Sequence, residues 1–274
     1  MSIKNLEPNG LWKNFYELTQ IPRPSKKEEK VVAFLKQFGE NLGLETIVDK
    51  VGNVIIRKPA TPGYEDRMGV VLQAHVDMVP QKNSDKVHDF EKDPIETRIE
   101  DGWVKANGTT LGADNGVGAA AAMAVLEATD LVHGPIEGLF TSDEETGMTG
   151  ADALEPGILK GDILINMDSE TEGELYVGCA GGIDTCGYFT PKFEDVPAGS
   201  KAFQLIVKGL KGGHSGMDII LGRANANKVM NALLLKATEK FNARVADIQG
   251  GSLRNAIPRE SFVTITVPEA RAEE

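Results

Sequence analysis

Cysteine, histidine and positive charge are all scarce in this chain of 274 residues. Its two cysteines, Cys179 and Cys186, cannot form a disulfide framework, so the fold must rest on its apolar core, and a reducing compartment suits it. Lys and Arg number 29 against 41 Asp and Glu, a formal net charge of −12. That deficit argues against nucleic acid and anionic membranes as partners, because both attract basic surfaces. Long hydrophobic runs are missing too. The longest uncharged stretch of note, Asn115–Leu126, is broken by Asn115, Gly116 and Gly118, and it falls short of the ~20 apolar residues that span a bilayer. Near the start, Lys4, Glu7, Lys13 and Glu17 are mixed with apolar residues, unlike the basic-then-apolar order of a signal peptide. The expected location is the cytoplasm.

What is present reads as a soluble α/β protein. Val31, Phe34, Leu35 and Phe38 recur at spacings of three and four and predict a helix over Lys26–Leu42, with Ser25 as its N-cap. Two strand-like runs, Leu44–Asp49 and Asn53–Arg57, flank Val51-Gly52 as in a hairpin. Val70, Val71 and Leu72 mark a strand over Gly69–Ala74 that is buried on both faces. Small residues around Ala119–Ala122 predict a helix over Asp114–Thr129, and Ile136–Thr141 and Ile163–Met167 are further apolar strands. Strands alternating with helices imply a mixed sheet with helices on both faces.

The texture changes near Gly181-Gly182. Asp184–Thr190, Ala202–Lys208, Arg244–Gln249 and Ser261–Val267 read as strands. Ala224–Lys240 reads as a helix with Val229, Ala232, Leu233 and Leu235 in its apolar stripe. The expected organisation is a first domain over residues 1–182 and an α+β domain over 183–274, the latter incomplete because the chain stops just after a strand.

Five places carry candidate chemistry. His75-Val76-Asp77 stands at a strand end, and alternation makes His75 and Asp77 face the same way. A carboxylate so placed can take the proton of one imidazole nitrogen and leave the other to a metal. A strand-end histidine beside a solvated aspartate has the same spelling. Asp114, at a turn-to-helix junction, offers two oxygens, enough to bridge two cations, and serves equally well as an N-cap. Asp143-Glu144-Glu145 follows an apolar strand; one glutamate could bind metal while its neighbour acts as general base, or the loop could simply be solvated. Asp168 again ends an apolar strand. His214 sits among glycines, in Gly212–Gly216, that would let its ring approach a ligand or merely form a turn.

The combination is more telling than any member. Acidic or histidine clusters recur at element termini, tens of residues apart. A mixed His and carboxylate set suits Zn²⁺, with Mn²⁺ or Co²⁺ feasible, and is poor for Ca²⁺. No Gly-x-Ser-x-Gly elbow occurs, and Thr109–Gly116 lacks the Gly-Lys-Ser/Thr element of a phosphate loop.

Taken in order, Gln73–Pro80, Ala106–Gly118, Ser142–Gly147, Asn166–Glu170 and Gly209–Asp218 resemble the M20 family of co-catalytic metallopeptidases, over essentially the whole chain. Gly178–Gly182 and Leu253–Arg259 resemble its aminoacyl-histidine dipeptidase branch. The resemblance implies a zinc-peptidase-like catalytic domain, a lid domain, and a homodimer in the full-length enzyme. It implies two divalent metal ions: His75 and Asp168 hold one, Glu145 holds the other, and Asp114 bridges them. Asp77 orients His75, and Glu144 is the general base. The Asp114–Asn115 peptide is cis in the family. His214 would stabilise the developing oxyanion, in related enzymes at the partner's site, while Asn255 and Arg259 would bind the substrate carboxylate.

One departure stands out. In the family a second histidine after the lid binds the metal held by Glu145. Here the histidines are His75, His88, His133 and His214, so an N-terminal portion of the enzyme is expected. The leading expectation is a dipeptidase, of the Xaa-His type. An aminotripeptidase or an N-acyl amino acid deacylase would use the same catalytic residues, and an inactive metal- or peptide-binding fragment is the reading from another class.

Overall fold

The computed structural model describes residues 2–178 and 185–274, in two units, Met1–Gly181 and Gly182–Glu274. In the first unit, α1 (Asn9–Thr19) and α2 (Glu29–Asn41) precede a hairpin of β1 (Glu45–Val48) and β2 (Val54–Lys58). Then come β3 (Val70–His75), a ribbon of β4 (Thr97–Glu100) and β5 (Trp103–Ala106), helix α3 (Ala113–Glu127) and β6 (Ile136–Thr141). Two one-turn helices, α4 (Glu144–Gly147) and α5 (Thr149–Asp152), lead to β7 (Ile163–Asn166).

The main sheet runs β1-β2-β6-β3-β7. β2 is antiparallel to β6, whereas β3 is parallel to both β6 and β7. Every residue of β6 is buried, as its central place requires. Alternation sorts the side chains onto two faces. Val54, Ile56, Ala74, Ile136 and Phe140 pack with Phe15 and Leu18 of α1, Val31 and Leu35 of α2, and the alanines of α3. Ile55, Val71 and Leu139 point the other way, against Leu154, Ile158 and Leu159. Because β3, β6 and β7 are parallel, their C-terminal ends share one edge of the sheet. That edge receives His75, the Ser142–Glu145 loop and Asp168.

In the second unit, β8 (Ser200–Val207), β9 (Arg244–Gly250) and β10 (Ser261–Pro268) form an antiparallel sheet in the order β8-β10-β9. Helix α6 (Ala226–Phe241) lies between β8 and β9 in sequence. Its Met230 and Leu234 pack on Val263, Ile265 and Val267. Asn225 caps it by accepting the Lys228 N–H at 3.1 Å.

Three expectations need correcting. Ser25 caps no helix: α2 begins at Glu29, after a positive φ of 67° at Lys26, and the Ser25 hydroxyl donates instead to Asp77. Of the strand expected over Asp184–Thr190, Asp184 lies outside the described residues, and 185–190 form no strand. A strand needs a partnering edge, and Tyr188 and Phe189 are exposed. In α6 the stripe facing the sheet is Ala226, Met230 and Leu234, whereas Val229, Leu233 and Leu235 are exposed.

Candidate metal centre and catalytic cluster

His75 ends β3 and is 1% exposed. Its Nδ1 lies 3.3 Å from Asp77 Oδ1. Its Nε2 faces three further acids: Asp114 Oδ1 at 3.0 Å, Asp168 Oδ1 at 3.6 Å and Glu144 Oε2 at 3.9 Å. Asp114 arrives from the start of α3, next to a cis Asp114–Asn115 peptide. Asp168 arrives two residues after β7. One strand end, one helix start and one loop thus bring to a single point residues that are far apart in the chain.

Asp77 is fully buried and does more than face the imidazole. Its Oδ1 accepts the Glu144 N–H at 3.0 Å, and its Oδ2 accepts the Glu145 N–H at 3.2 Å and the Ser25 hydroxyl at 2.8 Å. The acidic turn of α4 is therefore held by the same carboxylate that orients His75. Burial pushes the Asp77 carboxyl up, but His75, the Glu144 N–H and Ser25 outweigh it and hold it below its ordinary value.

The charges fit a cation. Burial disfavours a charged His75, yet Asp114, Asp168 and Asp77 overcome this and push its pKa up to about 12. Burial, then Asp114 and Glu144, push Glu145 up to about 7 against the opposing pull of His75. Glu144 is raised as well, by burial and then, against His75, by Asp168, Asp77 and Asp114. Such crowding asks for positive charge, which a proton on His75 or a metal ion can supply. One ligand atom each from His75, Asp114 and Asp168 lies within 4.8 Å of the others. An imidazole and two carboxylates are a donor set for Zn²⁺ or similar ions, so the residues present fit a metal.

Behind this layer lies one that sequence reasoning missed. Glu28, Asp77 and Asp143 also approach one another within 4.8 Å. Glu28 accepts the N–H groups of Lys26 and Asp143 at 2.8 and 3.2 Å, and Asp143 accepts the hydroxyls of Thr146 and Thr149. Burial raises Glu28 above its ordinary value. Arg23 was missed as well; it is buried and donates to the Val76, Asp77 and Gly112 carbonyls. Its one sequence signal is its place between Pro22 and Pro24.

The second unit brings His214, Asn255 and Arg259 to one corner. His214 bridges to Ala256, the Asn255 carbonyl accepts the Ser215 N–H at 2.9 Å, and Arg259 Nε donates to the Leu210 carbonyl at 3.1 Å. His214 Nδ1 accepts the Gly216 and Met217 N–H groups at 3.1 and 3.3 Å. With Nδ1 accepting, a neutral ring carries its proton on Nε2, which leaves that nitrogen a donor.

Comparison with known proteins fits this geometry. Residues 71–192 match the model of peptidase family M20/M25/M40, and residues 205–274 match that of the peptidase dimerisation domain. The cytosol non-specific dipeptidase of Escherichia coli strain K12 is 53% identical over 265 residues, which are 97% of this chain and 55% of that protein. The crystal structure of an aminoacylhistidine dipeptidase from Vibrio alginolyticus is 51% identical with a TM-score of 0.65, over 98% of this chain and 55% of that one. A Staphylococcus aureus tripeptidase, 20% identical with a TM-score of 0.51 over 95% of this chain and 66% of that one, shares the fold. The chain spans about half the length of both dipeptidases. With a match to each of these models and this identity to two dipeptidases, the chain carries M20 family peptidase domains.

Proposed function

We propose that this chain provides the machinery for metal-dependent hydrolysis of dipeptides, those of the Xaa-His type among them. The observation that carries the reading is the convergence of Asp114, Glu144 and Asp168 on His75 Nε2, with Asp77 on Nδ1. His75 and Asp168 would hold one divalent ion, Glu145 a second, and Asp114 both; Zn²⁺ suits these donors, and Mn²⁺ or Co²⁺ would be accepted. Bound ions would supply Lewis acidity, easing deprotonation of water and polarising the scissile carbonyl.

The protein groups do the rest. Asp77 fixes the ring of His75. Glu144 takes a proton from the attacking water as its oxygen bonds to the carbonyl carbon, then passes that proton to the amine as the C–N bond breaks. By the family resemblance, His214 would serve the partner's site, donating its Nε2–H to the carbonyl oxygen as negative charge develops there. The same resemblance implies Asn255 and Arg259 for the substrate carboxylate.

The dimerisation-domain match supports a homodimer, as do the exposed apolar Val229 and Leu233 one turn apart on α6. For location, the cytoplasm fits the cytosolic name of the relative. Among the described residues no helix is long and apolar enough to cross a membrane.

The test is hydrolysis of a panel of dipeptides, tripeptides and N-acyl amino acids by protein loaded with Zn²⁺, Mn²⁺ or Co²⁺, beside elemental analysis. Cleavage of dipeptides first supports the reading. Preference for tripeptides or acyl amino acids would move it within the family. Tight metal binding with no turnover of any substrate would make this chain a non-catalytic binding unit.

A further inference from the structure

Beneath the acidic cluster lies a positive charge that the proposed reaction does not use. Arg23 is 2% exposed. Its Nη1 donates to the carbonyls of Val76 at 2.8 Å and Asp77 at 3.2 Å, and its Nη2 to that of Gly112 at 2.6 Å. The Nε atom has no hydrogen-bond partner. A buried charge whose hydrogen bonds go to backbone carbonyls is costly to keep. Burial lowers its pKa to about 10, against the pull of Asp77, Asp114 and Glu145, so it stays charged at neutral pH.

Local structure is shaped around this side chain. Pro22 and Pro24 favour an extended backbone on either side of it. The Arg23 carbonyl accepts the Met78 N–H at 3.1 Å, and Pro24 bridges to Met78, so the segment runs alongside the loop carrying Asp77. Gly112 has a φ of +69°, and a Cβ there would sit 2.7 Å from Arg23 Nη2. A Cβ on Gly116 would sit 2.5 Å from the same atom. Gly112 and Gly116, two residues to either side of Asp114, thus leave room for one guanidinium.

The carbonyls it holds identify the task. Val76 and Asp77 directly follow His75, and Gly112 stands two residues before Asp114. The guanidinium therefore ties the strand end bearing the imidazole to the turn bearing the carboxylate 3.0 Å from it. Charge alone would be the wrong choice here, since a cation under a metal site repels the metal. A planar fork of donors spanning two loops is what arginine offers and lysine does not.

We propose that Arg23 is a positioning residue of the metal centre: by clamping the Val76, Asp77 and Gly112 carbonyls it sets Asp114 against His75 before the ion arrives. The proposal rests on the metal-centre reading above. It assigns Arg23 no contact with substrate or ion.

The experiment measures Zn²⁺ affinity by calorimetry on the full 274-residue chain freed of metal, as unaltered protein, Arg23→Lys, Arg23→Met and Gly112→Ala. His75→Ala identifies the site, and apo thermal unfolding of each variant reports stability separately. Positioning predicts that all three variants bind ~10–100-fold more weakly, the usual loss when a group that orients metal ligands is removed. Arg23→Lys keeps the charge, and Gly112→Ala keeps the arginine but pushes on its Nη2. A role through charge alone predicts the opposite pattern, with Arg23→Lys unchanged and Arg23→Met tighter, and would overturn the proposal. So would lowered stability with unchanged affinity.

Should the variants fail to fold, the unaltered apo chain still decides. A clamped guanidinium gives separate NMR signals for its Nη protons, whereas one freely rotating, averaged signal overturns the clamp. If unaltered protein binds no divalent ion, the metal-centre reading fails and takes this proposal with it. If it binds one equally well with and without Arg23, this proposal alone fails.

Discussion

The Asp77 carboxylate joins the two halves of the cluster: one oxygen lies 3.3 Å from His75 Nδ1 and accepts the Glu144 N–H at 3.0 Å. Orientation of the proposed metal ligand and placement of the proposed base therefore depend on one buried group. Asp77→Asn keeps the size of the side chain but turns one acceptor into a donor that faces N–H groups. Both metal affinity and turnover should fall, affinity by ~10–100-fold. Leaving buried N–H groups without an acceptor should also cost about 1–3 kcal/mol of stability. Calorimetric Zn²⁺ titration beside denaturant unfolding measures the two effects. Unchanged affinity would detach Asp77 from the metal centre.

Glu144→Gln separates base from ligand. The amide fills the same space but cannot accept the proton of the attacking water. In an active preparation the rate should drop ~10²–10⁴-fold, with Zn²⁺ content and thermal midpoint nearly unaltered. Activity within a factor of three of the unaltered enzyme would assign the base elsewhere.

The neighbourhood of β3, β6 and β7 shows what could be read without a structure. Strands Ile136–Thr141 and Ile163–Asn166 were legible because continuous apolar runs bounded by turn residues have few other uses in a soluble chain. His75, Asp114, Glu144, Glu145 and Asp168 stand out in the sequence as candidates, since each lies at or near an element terminus, and the family resemblance supplies the roles proposed for them. Their mutual distances were not legible, because these follow from the parallel register of β3 with β6 and β7. Helix α1 is not read from the sequence, although Phe15 and Leu18 are buried on it. Arg23 and Glu28 escaped because a buried charge looks, in sequence, like any surface charge. The α6 stripe was misjudged because the helix is apolar on two sides, and only packing tells which one faces the sheet.

A pH effect on stability follows from Glu137, far from the site chemistry. Burial pushes its carboxyl up, but the Arg57 guanidinium and the Lys160 and Gly161 N–H groups outweigh burial and hold it below its ordinary value of 4.5. Arg57 Nε donates to Glu137 Oε1 at 2.9 Å across the β2–β6 pair. A carboxyl with a lowered folded-state pKa stabilises the fold fully above its unfolded pKa. That contribution is lost as pH falls through the ordinary value and then through the lower folded one. Stability should therefore drop on acidification below about pH 4.5. Glu137→Gln should be less stable at pH 7 by on the order of 3 kcal/mol, as for a broken buried pair, and should show a flatter acid limb. Urea unfolding at pH 7, 5 and 4 checks this, and parallel acid limbs would remove Glu137 from the account.

Metal stoichiometry tests the donor count. His75, Asp114 and Asp168 offer one imidazole and two carboxylates to a single point, which is the three-ligand complement of a zinc site. Glu145 and a share of Asp114 would offer a second ion oxygen alone. The 274-residue chain should therefore hold one Zn²⁺ tightly and a second weakly. His75→Ala should abolish the tight site, and Glu145→Ala should leave it nearly intact. Elemental analysis after dialysis reads both sites. Two tightly held ions per chain would mean that another group completes the second site.

The tautomer of His214 can be read without any turnover. The Gly216 and Met217 N–H groups both point at Nδ1, so Nδ1 must stay an acceptor and the proton must sit on Nε2. The turn that aims them is held from outside: the His214 N–H donates to Asp218 Oδ2 at 2.8 Å, and Arg223 pairs with Asp218 Oδ1 at 2.9 Å and donates to the Gly212 carbonyl at 2.8 Å. ¹⁵N shifts of the neutral His214 ring should report the Nε2–H tautomer as the dominant form. Asp218→Asn loses the charge that holds both the His214 N–H and Arg223, which should loosen the turn and let the Nδ1–H form appear. Asp218→Glu, with its charge kept, should restore part of the preference. A mixture of tautomers already present in the unaltered protein would show that the turn does not select one. His214 would then be a poorly prepared donor for an oxyanion, because part of the population would present a lone pair where a proton is needed.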